Sequence, residues 1–380
     1  MSLGQMHLEV GGVPYGGWIE AQAMRSMEAL AGSFSFTASL TDPASFPFRL
    51  GSKVRVMLDA EPILAGYVEA IKIDGTTSDH TVSVSGRSRT ADLVDSSLVA
   101  AYSAAATEIT LKKLIENILA ANGHTKIKVL DRAPGIKPFA AGEAPESDVG
   151  AKIWEHLERC ARARQAILNT TRAGEISIER TGTYPIEDLV LVNSKSEPNA
   201  CNIKSFSVEY NTVERYNKYT LRAQASIPGL DLGGGGTAST DVTGQAGVAV
   251  DSSIRATRVL EINASGTAMS TGTLLDRAKW EANIRRSRSM TYRATVQGWY
   301  RNQAQSLFLR PNRLIRVRDD MAGIDAVLLI KEVTYRYSIT GGATSDVVCT
   351  TKDAYSLDVV RPQKTKRRQK MGVNIAGLTQ

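Results

Sequence analysis

From Ser33 to Ser85 apolar and polar residues alternate in short runs. Ser33–Leu40 (SFSFTASL) puts Phe34, Phe36, Ala38 and Leu40 on one face, the two-residue period of a half-buried strand. Lys53–Leu58 (KVRVML) turns Val54 and Val56 inward. Ile63–Ile73 (ILAGYVEAIKI) and Thr81–Ser85 (TVSVS) predict two further strands, with Glu61-Pro62 and Asp74-Gly75 as turns. Short strands at this spacing predict a small antiparallel barrel or sandwich.

The period then lengthens. Thr110–Asn122 (TLKKLIENILAAN) carries Leu111, Leu114, Ile115, Ile118 and Leu119 at helical spacing, with Thr110 or Thr107 as cap and Asn122-Gly123 as stop. After a Pro/Gly/Ala-rich loop, Ala133–Glu146, a second helix is expected from near Ser147 to about Arg164, with Ile153, Trp154, Leu157 and Ala161 on one face. Gln165–Asn169 and Glu175–Glu179 flank Arg172-Ala173-Gly174 as a hairpin. Strands resume from Cys201, broken by the low-complexity stretch Pro228–Gly247 with its four glycines Gly233–Gly236. A third helix, Thr271–Ser289, is basic at its C-terminal end, where the helix dipole favours cations. Strands return from Met290 to about Asp353.

The strand-rich ends repeat one order. RLGSKVRVMLD leads into PILAGYVEAIKI and then TSDHTVSVSGRSRTADLV; far downstream, LRPNRLIRVRDD leads into AVLLIKEVTYRY and then TSDVVCTTKDAYSLDVV. The offset is roughly 260 residues, beyond any solenoid period. The fold class expected is mainly β with α/β insertions: two similar small antiparallel β-barrels, an α/β domain and a further inserted segment. The boundaries drawn are 1–104 for the first barrel and 105–195 for the α/β domain of two helices and a hairpin. The second barrel takes 196–227 and 290–358, the insertion 228–289 and a basic tail 359–380. Within this scheme Gly86 permits the bend that ends a closing strand. Thr90 is a candidate N-cap with Asp92 in the first turn of a short helix. Arg87 and Arg89 then project from a barrel corner, as a solvated corner with local ion pairs, as a protein-contact surface or, third, as a catalytic or phosphate site.

Charge changes this picture only at one end. Of the net +7, six cations sit in Arg361–Lys370 (RPQKTKRRQK), so about +1 remains on the rest of the chain. That argues against a fold with a broad basic nucleic-acid face and leaves a detachable basic arm. Cys160, Cys201 and Cys349 are far apart and lack CxxC spacing, so reduced, buried thiols are expected. Neither a signal peptide nor an apolar run long enough to span a bilayer is present, and folding in a cytoplasm is expected.

His7, His80, His124 and His156 form no metal-binding interval. His156 and Cys160 lie four apart on the second helix and can meet, but a nucleophilic pair needs an orienting third group and a cleft. There is no GxSxG elbow. Gly233–Gly236 lacks the Lys-Ser/Thr of a phosphate loop. Glu155 and Glu158 share a helix face with nothing to separate their pKa values. No catalytic, metal or cofactor residue is expected.

The run GYVEAIKIDGTTSDHTVSVSGRSRTADLVDSSL resembles the front barrel of contractile-tail baseplate hub proteins, in which Gly86, Arg87, Ser88, Thr90, Asp92, Leu93, Val94 and Asp95 would close the first barrel. Arg277–Tyr300 (RAKWEANIRRSRSMTYRATVQGWY), LFLRPNRLIRVRD and LLIKEVTYRYS are similar to later segments of the same proteins. The likeness covers nearly the whole chain and is strongest to the hub, or tail protein P, of Mu-like phages. More distantly it extends to the T-even hub and to the barrel part of type VI secretion spikes. It implies a structural, non-enzymatic homotrimer: a ring of six quasi-equivalent barrels between the tail tube and the central spike, contacting other baseplate proteins. Its channel would pass DNA without specific binding, and the ring would be assembled in the host cytoplasm and located in the virion tail. Arg87, Arg89, Lys366, Arg367 and Arg368 are the candidate contact residues. Two alternatives are a cell-wall hydrolase of the tail tip and a nucleic-acid-binding protein using the basic tail.

Overall fold

The computed structural model describes residues 5–39, 46–76, 80–133, 135–181, 186–223, 246–264, 271–302 and 307–352. Most of the Gly-rich stretch, and the tail with Lys366, Arg367 and Arg368, lie outside these residues. The chain is mainly β. At the front stand β1 (Met6–Val10), β2 (Val13–Tyr15), β3 (Glu20–Ser26), β4 (Ser33–Ser39), β5 (Lys53–Leu58), β6 (Glu61–Gly75) and β7 (His80–Ser88). They pair antiparallel in the spatial order β3-β4-β7-β6-β5-β1-β2. The alternation of the sequence is the reason: Phe34 and Phe36 of β4, Val54 and Val56 of β5, and Val82 and Val84 of β7 are all buried. Each contributes about 1.5–3 kcal/mol by leaving water.

The short helix α1 (Ala91–Asp95) leads into α2 (Leu111–Ala121), β8 (Val129–Asp131), α3 (Ile153–Ala163), β9 (Ile167–Thr170) and β10 (Ile176–Glu179). Thr110 caps α2 by accepting the Lys113 N–H at 3.3 Å. Helix α3 begins at Ile153, later than its apolar spacing suggested, because Ser147 bridges to Tyr102 and Lys152 to Ser97. The expected hairpin forms as β9 and β10, with β8 added parallel. A buried ion pair fastens the Pro/Gly/Ala-rich loop to the end of α3. Arg164 Nη2 lies 2.5 Å from Glu143 Oε2, and its guanidinium lies 3.8 Å above the Phe139 ring centroid.

The remaining elements are β11 (Ile186–Asn193), β12 (Ile203–Tyr210), β13 (Lys218–Ala223), β14 (Ala246–Val250), β15 (Val259–Ala264), α4 (Thr271–Arg288), β16 (Met290–Gln297), β17 (Tyr300–Asn302), β18 (Leu307–Phe308), β19 (Leu314–Asp319), β20 (Ile324–Ser338) and β21 (Gly342–Thr351). Two placements differ from the sequence boundaries. β11, drawn with the α/β domain, joins the large sheet by parallel pairing with β19. β13, drawn with the second barrel, pairs instead with β14 and β15. The cause is packing: Tyr219 and Leu221 of β13 share a core with Leu274 and Ala278 of α4 and with the helices of the α/β domain. Gly247 lets α4 come so close to β14 that a Cβ there would stand 2.1 Å from the Leu274 carbonyl carbon. Among the thiols, Cys160 and Cys349 are buried as expected, whereas Cys201 is exposed.

The internal repeat is structural. β5-β6-β7 recurs as β19-β20-β21, and both central strands are 15 residues long. Each is interrupted by a bulge at the same place. In β6 the register skips Glu69, between Val68↔Gly86 and Ala70↔Ser85; in β20 it skips Lys331, between Ile330↔Cys349 and Glu332↔Val348. Each bulge is held by the same bracket. Gly51 N–H donates to the Val68 carbonyl and Val68 N–H to Ser52, at 2.8 and 3.0 Å; Asn312 N–H donates to Ile330 and Ile330 N–H to Arg313, at 2.9 and 2.8 Å. Gly51 and Asn312 both have positive φ, +79° and +60°. At Gly86 a Cβ would stand 1.9 Å from the Tyr67 carbonyl oxygen.

The two repeats share one sheet and one core. β20 pairs with β21 along one edge, while its other edge pairs with β19 before the bulge and with β3 after it. Hydrogen bonding therefore runs through 13 strands as one open path, β12-β16-β21-β20-β3-β4-β7-β6-β5-β1-β2, with β19 and β11 branching from β20. Gly86→Ala is expected to destabilise the protein by about 3 kcal/mol, since backbone rather than a movable side chain blocks the new methyl. Chemical denaturation would measure it, and Ser85→Ala, one residue away, serves as the mild control.

Candidate functional site

The corner singled out by sequence is built by the end of β7 and by α1. Arg87 clamps two carboxylates: its Nε and Nη2 donate to Glu69 at 2.7 and 3.0 Å, and its Nη1 and Nη2 donate to Asp95 at 3.1 and 2.5 Å. Hydrogen bonds from Arg87 hold the Asp95 carboxyl below its ordinary value, and the same bonds raise the guanidinium further. Glu69 is the bulge residue of β6, so the bulge aims its side chain at Arg87. A cation so neutralised does not form an anion site. Arg89 is half-buried, and its side chain lies against the Gly174 turn of the β9–β10 hairpin. Thr90 stands at the N-cap position of α1, yet its hydroxyl does not cap the helix. It is buried and bonds to Ser88 Oγ at 2.8 Å and Thr170 Oγ1 at 2.7 Å. Thr170 also donates to the Leu30 carbonyl. The corner is thus a seam between the first repeat and the α/β domain.

That domain grips both repeats. Arg172, in the hairpin turn, pairs with Glu61 of β6 at 2.7 Å. Glu179 of β10, itself buried, accepts from Asn312 at 2.8 Å, Asn169 at 3.0 Å and Ser177 at 2.8 Å. Asn312 is the left-handed residue that brackets the second bulge. The sequence placed Asn169, Arg172 and Glu179 in the hairpin but marked none of their contacts with the repeats.

Between the repeats, β20 and β3 meet from Glu332↔Ser26 to Ser338↔Glu20. Size complementarity fits them: Tyr335 faces Ala23 and Tyr337 faces Ala21. Arg336 donates to the Gln22 side chain at 2.7 Å. A deeper cluster surrounds Asp319, which accepts from Tyr292 Oη at 2.8 Å, Asn193 Nδ2 at 3.0 Å and the N–H groups of Met321 and Ala322. Burial raises the Tyr292 phenol, with Asp319 adding to it. These groups are mutually satisfied and face core, not a cleft.

His156 and Cys160 do meet, Nε2 to Sγ, at 3.9 Å, with both residues fully buried. Burial, helped by Arg159, pushes the imidazole down to about 4, and burial pushes the thiol up to about 12. Both shifts oppose the thiolate–imidazolium state that a nucleophilic pair requires. No group of three or more His, Cys, Asp or Glu residues is arranged to hold a metal among the described residues. The pair has a pH signature. Between the ordinary histidine value of 6.5 and about 4, the unfolded chain binds a proton that the folded protein refuses. The stability of the neutral, buried imidazole is therefore complete above pH 6.5 and is lost as pH falls toward 4. In a denaturation series, His156→Gln is expected to shrink the loss over that window, by up to about 3 kcal/mol.

Residues 5–88 match the family described as Mu phage baseplate assembly protein GpP-like, N-terminal, and residues 267–358 match the fourth domain of Mu phage baseplate assembly protein GpP. The baseplate hub protein gp44 of Escherichia phage Mu is 23% identical over 363 residues, covering 95% of this chain and 91% of that one. The 43 kDa tail protein of prophage MuSo2 from Shewanella oneidensis has a similar fold, with a TM-score of 0.73 at 24% identity over 92% of this chain and 99% of its own. The tail protein from Neisseria meningitidis MC58 gives 0.77 at 18% identity over 94% and 99%. By their descriptions these relatives are a baseplate hub protein and two tail proteins. The two family matches fall on the two bulged repeats, so the ends of this chain are similar to the N-terminal domain of the GpP-like family and to the fourth domain of Mu phage baseplate assembly protein GpP.

Proposed function

We propose that this chain is the structural hub of a Mu-like phage baseplate, three copies forming a ring that joins the tail tube to the central spike. The observation that carries the reading is the doubled strand unit: one chain folds the same bulged three-strand element twice and joins the copies through β3 and β20. Three such chains offer six similar units. A ring of that kind matches a sixfold tube on one face and a threefold spike on the other, with a large complementary surface to each. Likeness to the Mu hub along nearly the whole chain supports the same reading.

The lumen would be the path of DNA during ejection from a contractile tail. A chain with a net charge of about +1 outside Arg361–Lys370 suits passage better than a basic wall, which would hold DNA by counterion release. The corner of Arg87 and Arg89 is proposed as a contact face, acting through its shape and its ion-pair network rather than through free charge. Lys366, Arg367 and Arg368 are proposed to dock on other baseplate proteins. Assembly would take place in the host cytoplasm.

Light scattering on the purified chain is expected to give the mass of three copies, and negative-stain images a ring with a threefold axis. A particle of two, four or six chains, or images without that axis, would overturn the ring. Deleting residues 359–380 is expected to leave the number of copies in the particle unchanged.

A further inference from the structure

Among the open edges of the large sheet, two have a counterpart in the other repeat that says what each should meet. After its bulge, β6 pairs only with β7 among the described residues, so the other edge of Ala70–Gly75 is open. Among the described residues β12 pairs only with β16, so its outer edge is open too. Long open edges invite pairing with another chain. Both also expose apolar side chains: Ile73 at 58%, Tyr210 at 60% and Phe206 at 38%.

The second repeat has no such opening at the equivalent place, because β3 covers the far half of β20. The registers carry this contact over. Val68 and Ile330 precede the two bulges and face Gly86 and Cys349. One strand further, those residues face the buried aromatics Phe34 and Tyr292. One strand further again stand Ala23 and Val208. β12 therefore occupies in the second repeat the place that β3 occupies in the first, and the far half of β6 corresponds to the far half of β20.

We propose that the far half of β6 pairs antiparallel with β12 of a second copy of this chain, repeating between chains the β20–β3 contact made within each. This rests on the ring reading above and names its interface. Tyr335↔Ala23 becomes Ile73 opposite Val208, and Val333↔Arg25 becomes Ile71 opposite Tyr210. Thr334↔Met24 becomes Lys72 opposite Glu209, an opposite-charge pair of the kind that favours a register. Tyr337↔Ala21 becomes Gly75 opposite Phe206, a large residue again facing a small one, with the sides exchanged. Lys72 at present pairs with Asp74 at 2.8 Å and Glu209 with Arg293 at 3.5 Å, all four exposed, so little is given up in exchanging partners. The contact is head-to-tail: each chain gives one β6 edge and one β12 edge, so such contacts close into a ring when the rotation permits.

Two measurements test it. With the exposed Cys201 replaced by serine, Ile73→Cys and Val208→Cys in one chain are expected to give disulfide-linked trimers under oxidation, reversed by reductant, while either cysteine alone leaves single chains. Lys72→Glu is expected to abolish the trimer in light scattering, Glu209→Lys likewise, and the double exchange to restore it. A wild-type trimer that yields no cross-link and withstands Lys72→Glu overturns the edge pairing but leaves the ring. A wild-type chain that stays single at all concentrations, with no cross-link, overturns both.

Discussion

One strand edge can serve two different partners only if something in the middle of the strand turns it, and in β20 a single extra residue does so. Ahead of Lys331 the strand is bound to β19, within its own repeat; beyond it, to β3 of the other repeat. A bulge adds local twist and breaks the ladder for one residue, and here two bonds keep the break fixed, Asn312 N–H to the Ile330 carbonyl and Ile330 N–H to the Arg313 carbonyl. The bulge residue is used as well. Lys331 reaches Glu28 at 2.8 Å, and Glu69 at the matching place reaches Arg87. The joining of the repeats, the shared core and the aim of the corner residues follow from this one local irregularity, made twice.

The α/β domain reads best as a clamp on that arrangement. It touches the first repeat through Thr170 and Arg172 and the second through Glu179 and Asn312. Inside it, Arg164 and Glu143 form a buried ion pair with Pro138 and Phe139 completing the shell. Such pairs contribute little net stability but are costly to break, which suits a part whose task is to hold two others in place. The polar clusters at Asp319, Glu179 and Thr90 are each closed by several partners. Titratable groups buried in this way serve geometry, as His156 and Cys160 do with pKa values moved away from reactivity.

Much of this was legible in the residues. The alternations of β4 to β7, the capped helix α2, the hairpin around Gly174 and the repeated order of segments all follow from local period and turn chemistry. The near-neutral body and the lack of a catalytic motif pointed toward a geometric role. Other features were not legible. Thr90 looked like a cap because Thr-x-Asp is a capping pattern, but Thr170, distant in sequence, takes its hydroxyl. Local ion pairs were expected at Arg87, but Glu69 as one partner was not legible, because the bulge that aims it there leaves no local mark.

By itself the sequence determined many of the strands and the three longer helices, that one unit occurs twice, and where the charge lies, since those depend on neighbours within a few residues. Only the tertiary structure decided which strands pair: β3 with β20, β13 away from the large sheet, β11 into it. Backbone hydrogen bonds are alike along every edge, so the choice of partner falls to contacts between distant side chains, Tyr335 over Ala23 or Leu221 in the core of α4. Those contacts exist only once the chain has brought them together.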